Sequence, residues 1–100
     1  MKLILSTQAK DDLKRITGYI AHRSKDRTVA RNFKNKILEK CKKLASIKGK
    51  IGVARPDLTD GLRSHPFGNY IILFMYSDDS MEVITILEGH RDIKSMFTDE

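Results

Sequence analysis

The sequence predicts a small α+β domain in which the helices come first and most of the sheet comes second. Two amphipathic segments with helical spacing occupy the first half of the chain, and three strand-like segments separated by turn residues follow. The chain has 100 residues, of which 40% are hydrophobic, and this is enough for one compact core but too little for two. We therefore expect a single domain over residues 1–100.

A short strand over Lys2–Leu5 starts the predicted fold and leads into a first helix that ends near Arg23. Ser6 is placed to cap this helix, because its hydroxyl can accept a hydrogen bond from a backbone amide of the first turn. Asp11 and Asp12 follow early in the helix, where the macrodipole favours carboxylates. The apolar stripe that faces the core consists of Ala9, Leu13, Ile16 and Ile20.

A second, longer helix follows the polar break at residues 24–26. Its apolar positions again recur at helical spacing, and Gly49 is placed to end it with a left-handed cap. Because the link between the two amphipathic helices is short, we predict an antiparallel helical hairpin. The apolar stripe of this helix consists of Ala30, Phe33, Ile37, Cys41 and Leu44.

The second half of the chain is predicted to form a three-stranded antiparallel meander after a long loop over residues 50–61, which is rich in Gly, Pro and Asp. The middle strand, Tyr70–Tyr76, is apolar at nearly every position, as expected of a strand covered by the hairpin on one face and open to a partner on the other. Asp92 can cap a short C-terminal helix that runs to Phe97. The strands are expected at 62–65, 70–76 and 81–88, with turns at 66–69 and 77–80.

Positive charge is concentrated in the first half of the chain. The formal net charge is +6, but residues 1–50 hold 15 Lys/Arg against 4 Asp/Glu, or +11, and residues 51–100 hold 4 against 9, or −5. A basic surface of this kind suits an acidic partner, either nucleic acid, whose phosphates release counterions when they are neutralised, or an acidic protein segment. The same lysines also fit an ordinary solvated helix face that favours solubility.

Cysteine usage and hydropathy favour a cytoplasmic protein that does not enter a membrane. Cys41 is the only cysteine, so no intramolecular disulfide can form, and its place on an apolar stripe indicates a core residue. No apolar run approaches the roughly 18 residues that cross a bilayer, and the apolar start at residues 3–5 is too short for a signal peptide. No metal or cofactor is expected, because His22, His65 and His90 are scattered and the sequence has no phosphate-binding loop.

An acid–base cluster in the sheet half is the catalytic arrangement that the residues could offer. A ribonuclease needs cations to stabilise the charge that develops on the phosphate, together with a base and an acid. In this sequence only the strand ends could supply such groups, and they supply few, since residues 70–88 contain no Lys, Arg or His. For each histidine, a place in a turn with a local hydrogen bond is the simpler interpretation. The candidates are Arg63, His65, His90 and Arg91.

Tyr70 and Tyr76 are predicted to lie on one face of the middle strand, with Ile72 and Phe74 between them. Such a face could stack on nucleic-acid bases, or it could belong to the core. The core is favoured, because no cation is interleaved with these aromatic residues.

Three motifs occur in order along the chain: Leu-Ser-x-x-Ala-x-x-Asp-Leu at residues 5–13, Gly-Leu-Arg-Ser-His-Pro-Phe-Gly-Asn-Tyr at residues 61–70, and Gly-His-Arg-Asp at residues 89–92. Together with the predicted strand, two helices, loop and three strands, they resemble the ParE branch of the ParE/RelE toxin superfamily. The resemblance covers nearly the whole chain.

The resemblance implies the toxin of a type II toxin–antitoxin module, held inactive by a ParD-like antitoxin that wraps it with an acidic, flexible segment. ParE-like toxins stall DNA gyrase on cleaved DNA, which inhibits growth and stabilises plasmids, whereas RelE-like relatives cut mRNA on the ribosome. The former activity needs no catalytic residue in the toxin. The residues expected to bind partners are Arg31, Lys34, Arg63, Tyr70, His90, Arg91 and Phe97.

The composition of the predicted sheet favours the gyrase-directed activity. RelE-like ribonucleases carry several Lys and Arg residues on their strands and a Tyr or His near the C-terminus, whereas this chain has no cation in its two long strands and ends Met-Phe-Thr-Asp-Glu. Arg63 and Arg91 match positions that the whole superfamily shares, so they do not distinguish between the two activities. Residues 25–27 and 48–51 depart from the family pattern, which could alter the choice of antitoxin.

Three hypotheses therefore follow from the sequence. The first is a gyrase inhibitor that acts by binding, and the second is a RelE-like mRNA endonuclease built from the acid–base candidates named above. The third is a module that binds nucleic acid directly through the basic helical hairpin.

Overall fold

A computed structural model describes residues 1–47 and 51–89 of the chain, and these residues confirm the predicted mixture of helices and sheet. Two helices and five strands are present in this part of the chain. None of the described helices is long and apolar enough to span a bilayer. In chain order the elements are β1 (Lys2–Leu5), α1 (Thr7–Ser24), α2 (Arg27–Ser46), β2 (Val53–Ala54), β3 (Arg63–Phe67), β4 (Tyr70–Tyr76) and β5 (Ser80–Glu88).

The strands form one sheet in the order β1-β5-β4-β3-β2. Strands β3, β4 and β5 pair antiparallel, which confirms the predicted meander. Strand β1 pairs in parallel with β5, and the helical hairpin lies in the long connection that a parallel pair requires. The β4–β5 register shifts between Leu73 and Phe74, where β5 carries one extra residue.

Helix α1 begins and ends close to the predicted positions. The Ser6 hydroxyl accepts from the Ala9 amide at 2.9 Å, which confirms the predicted cap, and it also donates to the Ile84 carbonyl of β5 at 2.6 Å. The helix ends at Ser24, and Lys25 then takes a left-handed conformation with φ of 56°. The cap therefore serves the helix and fastens its first turn to the sheet.

Helix α2 starts from an Asp26 cap and ends before the predicted position. The Asp26 carboxylate accepts from the Thr28 amide at 2.8 Å. The helix stops at Ser46, and Ile47 follows in an extended conformation. The left-handed cap expected at Gly49 lies outside the described residues.

The main core lies between the hairpin and one face of the sheet. Ile72 and Phe74 of β4 are fully buried against the apolar stripes of both helices, and Tyr70 and Tyr76 pack at the margin of the same cluster. The core interpretation of this strand face is confirmed, and the alternative of a base-stacking platform is wrong, because the hairpin occupies the face. The helix residues of the cluster are Ala9, Leu13, Ile16, Ile37, Cys41, Leu44 and Ala45.

A smaller cluster covers part of the other sheet face. Leu73 and Leu87 from the strands pack with Leu58 and Leu62, which belong to the segment between β2 and β3. The prediction left this face to a partner molecule. The chain itself supplies cover there, through two leucines in a segment whose irregular spacing gave no sign of burial.

The predicted loop over residues 50–61 contains a strand that the sequence analysis missed. Val53 and Ala54 form β2 and pair antiparallel with Ser64 and Arg63. Two residues are too few to show an alternating pattern, so the sequence carries no signal for this strand.

The predicted bounds of the first meander strand were also wrong. Strand β3 runs over Arg63–Phe67 instead of 62–65, and Pro66, expected in a turn, pairs with Ile71 of β4. Because β2 pairs only with the first two residues of β3, Pro66 lies on an open edge, where a strand tolerates a missing amide hydrogen. The C-terminal helix expected between Asp92 and Phe97 lies outside the described residues.

A buried carboxylate on α1 joins the helix to the bulged strand. Asp12 is 2% exposed, and its Oδ2 accepts from the Thr85 hydroxyl and from the Ile86 amide, the latter at 3.1 Å. Its Oδ1 accepts from Gln8 at 2.8 Å and from Arg15 at 3.2 Å. Burial raises the pKa of Asp12, but these hydrogen bonds outweigh burial and hold the pKa below its ordinary value. Asp12 therefore serves mainly to join α1 to β5, and its expected interaction with the helix macrodipole is secondary.

Replacing Asp12 with Ala is expected to lower the free energy of unfolding by about 2–4 kcal/mol, because the buried Thr85 hydroxyl and Ile86 amide lose their acceptor. Chemical denaturation at pH 7 measures this change. The control is Asp11→Ala, at the exposed neighbouring position, where a change below about 0.5 kcal/mol is expected. Similar losses in the two variants would contradict the role given to Asp12.

The same contact makes a pH-dependent contribution to stability. Because the pKa of Asp12 is lower in the folded chain than its ordinary value of 3.8, the contribution is fully present above that pH and is lost as the pH falls through the folded pKa. The stability difference between the wild type and Asp12→Ala should therefore shrink below about pH 4.

Candidate partner-binding surfaces

Arg63, a predicted site residue, holds the segment that follows α2 against the start of β3. Its Nε donates to the Ile51 carbonyl at 2.8 Å, and its Nη2 donates to the Gly52 carbonyl at 2.9 Å. Both carbonyls belong to the segment that leads into β2. Two donors of the guanidinium fork are therefore engaged in fixing the chain's own backbone.

Tyr76 completes this attachment from the end of β4. Its hydroxyl donates to the Leu44 carbonyl of α2 at 3.1 Å and accepts from the Ile51 amide at 3.4 Å. We call Arg63, Tyr76 and the two residues that they hold, Ile51 and Gly52, the backbone clamp. The clamp joins the end of the helical hairpin to two strands.

Gly52 is the tightest point of the backbone clamp. Its φ is +83°, and a Cβ added there would lie 2.6 Å from the Ser64 carbonyl oxygen and 2.9 Å from the Phe74 ring. Neither neighbour can move away easily, since one is strand backbone and the other is a fully buried ring. Only glycine fits this position.

Gly52→Ala is expected to destabilise the fold by about 3 kcal/mol, because it combines an unfavourable φ with steric overlap. Gly68→Ala is the matched control, since Gly68 also has a positive φ, of +59°, but has open space around its Cβ position. A loss of about 1 kcal/mol is expected for the control. Thermal or chemical unfolding measures both variants, and equal losses would show that the close approach at Gly52 has no energetic weight.

His65 lies two residues after Arg63 on the same strand, with its side chain half-buried. Burial lowers the pKa of His65, and the nearby Lys40 of α2 lowers it further. Both effects disfavour the protonated ring, which weakens the case for His65 as a general acid. The other two residues of the acid–base hypothesis, His90 and Arg91, lie outside the described residues.

The cavity beside Arg63 is small. It has a volume of about 160 Å³ and is lined by Arg63, Tyr76 and residues of the β2–β3 segment. Sites that enclose small ligands usually reach about 300–1,000 Å³. Within the described residues, the cavity therefore has room for only a few water molecules beside the clamped Arg63. Its volume is too small for an enclosed ligand site.

Tyr70 starts β4 and packs into an aromatic group at the edge of the core. Its ring centroid is 5.4 Å from that of Phe33, which in turn is 5.7 Å from Phe67. Burial raises the pKa of the Tyr70 hydroxyl, and Glu88 raises it further. Tyr70 thus anchors α2 to the sheet, and its predicted role in partner binding stays a prediction.

Arg31 and Lys34, the predicted site residues on α2, line a groove between the two helices. The groove has two adjoining parts with volumes of about 440 Å³ and about 370 Å³, and Lys14, Thr17 and Lys34 line both parts. We call this feature the hairpin groove. Its remaining lining residues are Leu5, Lys10, Leu13, Gly18, Ala21, Arg27, Ala30, Arg31 and Leu38.

The predicted site residues thus lie in separate places. Arg31 and Lys34 belong to the hairpin groove, whereas Arg63 and Tyr70 do not line it. Arg63 pairs with Phe74 and Tyr70 pairs with Phe67, so they stand at opposite ends of the β3–β4 pair. Phe97, with His90 and Arg91, lies outside the described residues. The basic residues of the helices were expected to suit an acidic partner or an ordinary solvated face, but the groove that Lys10 and Lys14 share with α2 was not foreseen.

Cys41 is a core residue, as predicted. It is 1% exposed, and burial raises the pKa of its thiol to about 11. Within residues 1–47 and 51–89, no three His, Cys, Asp or Glu side chains lie close enough together to hold a metal ion. Because its pKa is about 11, the Cys41 thiol is almost entirely protonated at neutral pH.

Cys41 should resist thiol reagents in the folded chain. At pH 7 only about one thiol in 10⁴ is ionised at a pKa near 11, and the side chain is enclosed as well. A colorimetric disulfide reagent should release no colour from native protein and one equivalent from protein unfolded in guanidinium. Reaction of the native protein at the rate of free cysteine would contradict the buried position.

Comparisons with known proteins agree with this architecture. A family model described as "ParE toxin of type II toxin-antitoxin system, parDE" matches residues 3–93. A solved chain from the chromosomal ParDE TA system from P. aeruginosa superimposes with a TM-score of 0.75 at 20% sequence identity, over 88% of this chain and 95% of that chain. A search of curated proteins finds no match. The family model spans most of the sequence, so this chain belongs to the ParE toxins of type II toxin–antitoxin systems, and the resemblance seen in its motifs is confirmed.

Proposed function

We propose that this ParE-family toxin acts in the cytoplasm by binding and inhibiting DNA gyrase, and that a cognate ParD-like antitoxin neutralises it. Family membership carries the toxin–antitoxin part of the proposal. The choice of target rests on the sheet, because β4 and β5 contain no Lys, Arg or His. A protein without these groups on its long strands is suited to binding and poorly suited to cleaving a phosphodiester.

The environment of the two described acid–base candidates supports the same choice. The Arg63 guanidinium donates to two backbone carbonyls, so a phosphate would have to compete with these bonds. Burial and Lys40 lower the pKa of His65 and disfavour its cationic form, which makes it a weaker candidate for the general acid. A RelE-like mRNA endonuclease built from Arg63, His65, His90 and Arg91 remains the alternative function.

Purified toxin is expected to inhibit the supercoiling of relaxed plasmid by gyrase and to accumulate cleaved DNA complexes. Inhibition is expected because the toxin forms a stable contact with gyrase. Since the antitoxin neutralises the toxin, an excess of antitoxin should abolish the inhibition. Relaxation of the supercoiled form of this plasmid by a type I topoisomerase is the control and should be unaffected. Full supercoiling activity at saturating toxin would rule out gyrase as the target.

The ribonuclease alternative has its own readout. Primer extension on translated mRNA after induction should show no new cuts if the toxin acts on gyrase. Cuts that appear with the wild type and vanish in both Arg63→Ala and Arg91→Ala would establish the endonuclease instead. Each variant must keep the wild-type unfolding midpoint, because loss of the backbone clamp could abolish activity by unfolding the chain.

A further inference from the structure

Tyr19 is an exposed aromatic residue on the side of α1 that faces away from the hairpin groove. The residue is 56% exposed and belongs to neither apolar cluster of the described residues. The α1 residues that line the groove, from Lys10 to Ala21, do not include it. A single exposed tyrosine is ordinary on a protein surface, so its neighbours decide whether it marks a site.

Arginines lie one turn before and one turn after Tyr19. Arg15, Tyr19 and Arg23 are spaced four residues apart, so their side chains share one side of α1. The central guanidinium carbon of Arg23 lies 6.0 Å from the centre of the Tyr19 ring, at the limit of a cation–π contact. We call these three residues the α1 stripe. Its length along the helix axis is about 12 Å, at about 1.5 Å per residue.

Arg15 is held in position by the sheet and still faces solvent. Its Nη2 donates to Oδ1 of Asp12 at 3.2 Å, and its side chain is 54% exposed, whereas that of Asp12 is 3% exposed. Asp12 also accepts from Thr85 and Ile86 of β5, so this ion pair is anchored to the core of the fold. Because a guanidinium carries five N–H donors, the contact with Asp12 leaves Arg15 donors for a phosphate.

Tyr70 brings a second tyrosine to the same surface. Burial raises the pKa of its hydroxyl, the charges of Glu88 and Tyr19 raise it further, and Arg15 lowers it. These electrostatic interactions place the start of β4 close to both Tyr19 and Arg15. Glu88 is the acid on the β5 side of this surface and would repel phosphate there. A phosphate chain is therefore expected to follow α1 and not β5.

The composition of this surface favours nucleic acid over an acidic peptide. Bases stack on aromatic rings, and arginine both pairs with phosphate and stacks on planar groups. An amphipathic peptide helix needs an apolar groove for its side chains, whereas the residues around Tyr19 on this side of α1 are polar and exposed, namely Arg15, His22 and Arg23. An unpaired strand also presents the base faces that a duplex keeps in its own stack.

We propose that the α1 stripe binds single-stranded nucleic acid, with a base stacked on Tyr19 and phosphates contacted by Arg15 and Arg23. Arg23 covers one face of the Tyr19 ring, so the base stacks on the other face. At about 3.4 Å per stacked nucleotide, the stripe spans three to four nucleotides. This contact goes beyond the proposed function, because neither inhibition of gyrase by binding nor neutralisation by an antitoxin requires the toxin to touch nucleic acid.

The test measures binding of the full-length chain to a fluorescent oligothymidine of about 12 nucleotides, by fluorescence anisotropy over a series of salt concentrations. Tyr19→Leu should weaken binding about tenfold, because leucine keeps an apolar side chain and loses the aromatic face. Tyr19→Phe keeps that face and should bind within about twofold of the wild type.

The charge contact has its own measurement and control. Arg23→Gln should weaken binding and reduce the slope of log affinity against log salt by about 0.7, the value for one phosphate contact on a single strand. Lys42→Gln makes the same change in net charge at an exposed position of α2 that lines neither part of the groove. Its affinity and its salt slope should match those of the wild type.

Several outcomes would overturn the inference. One is failure of the wild type to bind the oligonucleotide at low salt, and another is equal binding by the wild type and Tyr19→Leu at unchanged unfolding midpoints. Displacement of the oligonucleotide by an oligoglutamate of equal charge would show that charge alone is recognised and that the ring contributes nothing. Each of these results leaves gyrase inhibition and antitoxin binding to be judged by their own assays.

Discussion

The attachment of α1 to the bulged strand β5 organises the whole structure. A bulge leaves backbone groups without their usual partners in the neighbouring strand, and at this bulge the first helix supplies the partners. Ser6 donates to the Ile84 carbonyl, and Asp12 accepts from the Thr85 hydroxyl and the Ile86 amide. Because these contacts span two turns of α1, they set both the position and the direction of the helical hairpin on the sheet. The apolar core, the backbone clamp and the hairpin groove all depend on that placement.

The division of charge follows from this arrangement. The hairpin covers one face of the sheet with its apolar stripes, so its basic residues remain outside, and five of them line the groove between the helices. Most side chains of β4 and β5 are apolar, and Leu58 and Leu62 of the β2–β3 segment cover part of the far sheet face. The resulting molecule presents cations on its helices and has little room for catalytic groups on β4 and β5. This division of charge is the basis of the proposal that the protein acts through contact with other macromolecules.

Local features of this fold could be predicted from the sequence, whereas features made by distant residues could not. The Ser6 cap and the central strand Tyr70–Tyr76 depend on neighbouring residues and were found. The partner of Asp12 is a threonine 73 residues away, and no spacing rule connects the two. Strand β2 has only two residues, so it exists because β3 lies beside it and not because of its own pattern.

The candidate binding residues could likewise be predicted only as far as their local sequence allows. Arg31 and Lys34 could be selected as basic residues of α2, but the groove that they line exists only when α1 packs alongside. Arg63 could be selected from its motif, but its hydrogen bonds to Ile51 and Gly52 depend on how the β2 segment folds back. Sequence reasoning found residue types suited to binding, and tertiary packing decided which of them share a surface.

The stoichiometry of inhibition tests the central claim most directly, because a binding toxin and a catalytic toxin differ in how many targets one molecule can disable. Purified chain should be titrated into a fixed concentration of gyrase well above the dissociation constant, with the remaining supercoiling activity measured at each step. A toxin that acts by binding gyrase should give a linear loss of activity that ends at a fixed, near-stoichiometric ratio of toxin to gyrase. Gyrase that stays fully active, together with mRNA cleavage on ribosomes at far less than one toxin per ribosome, would contradict it.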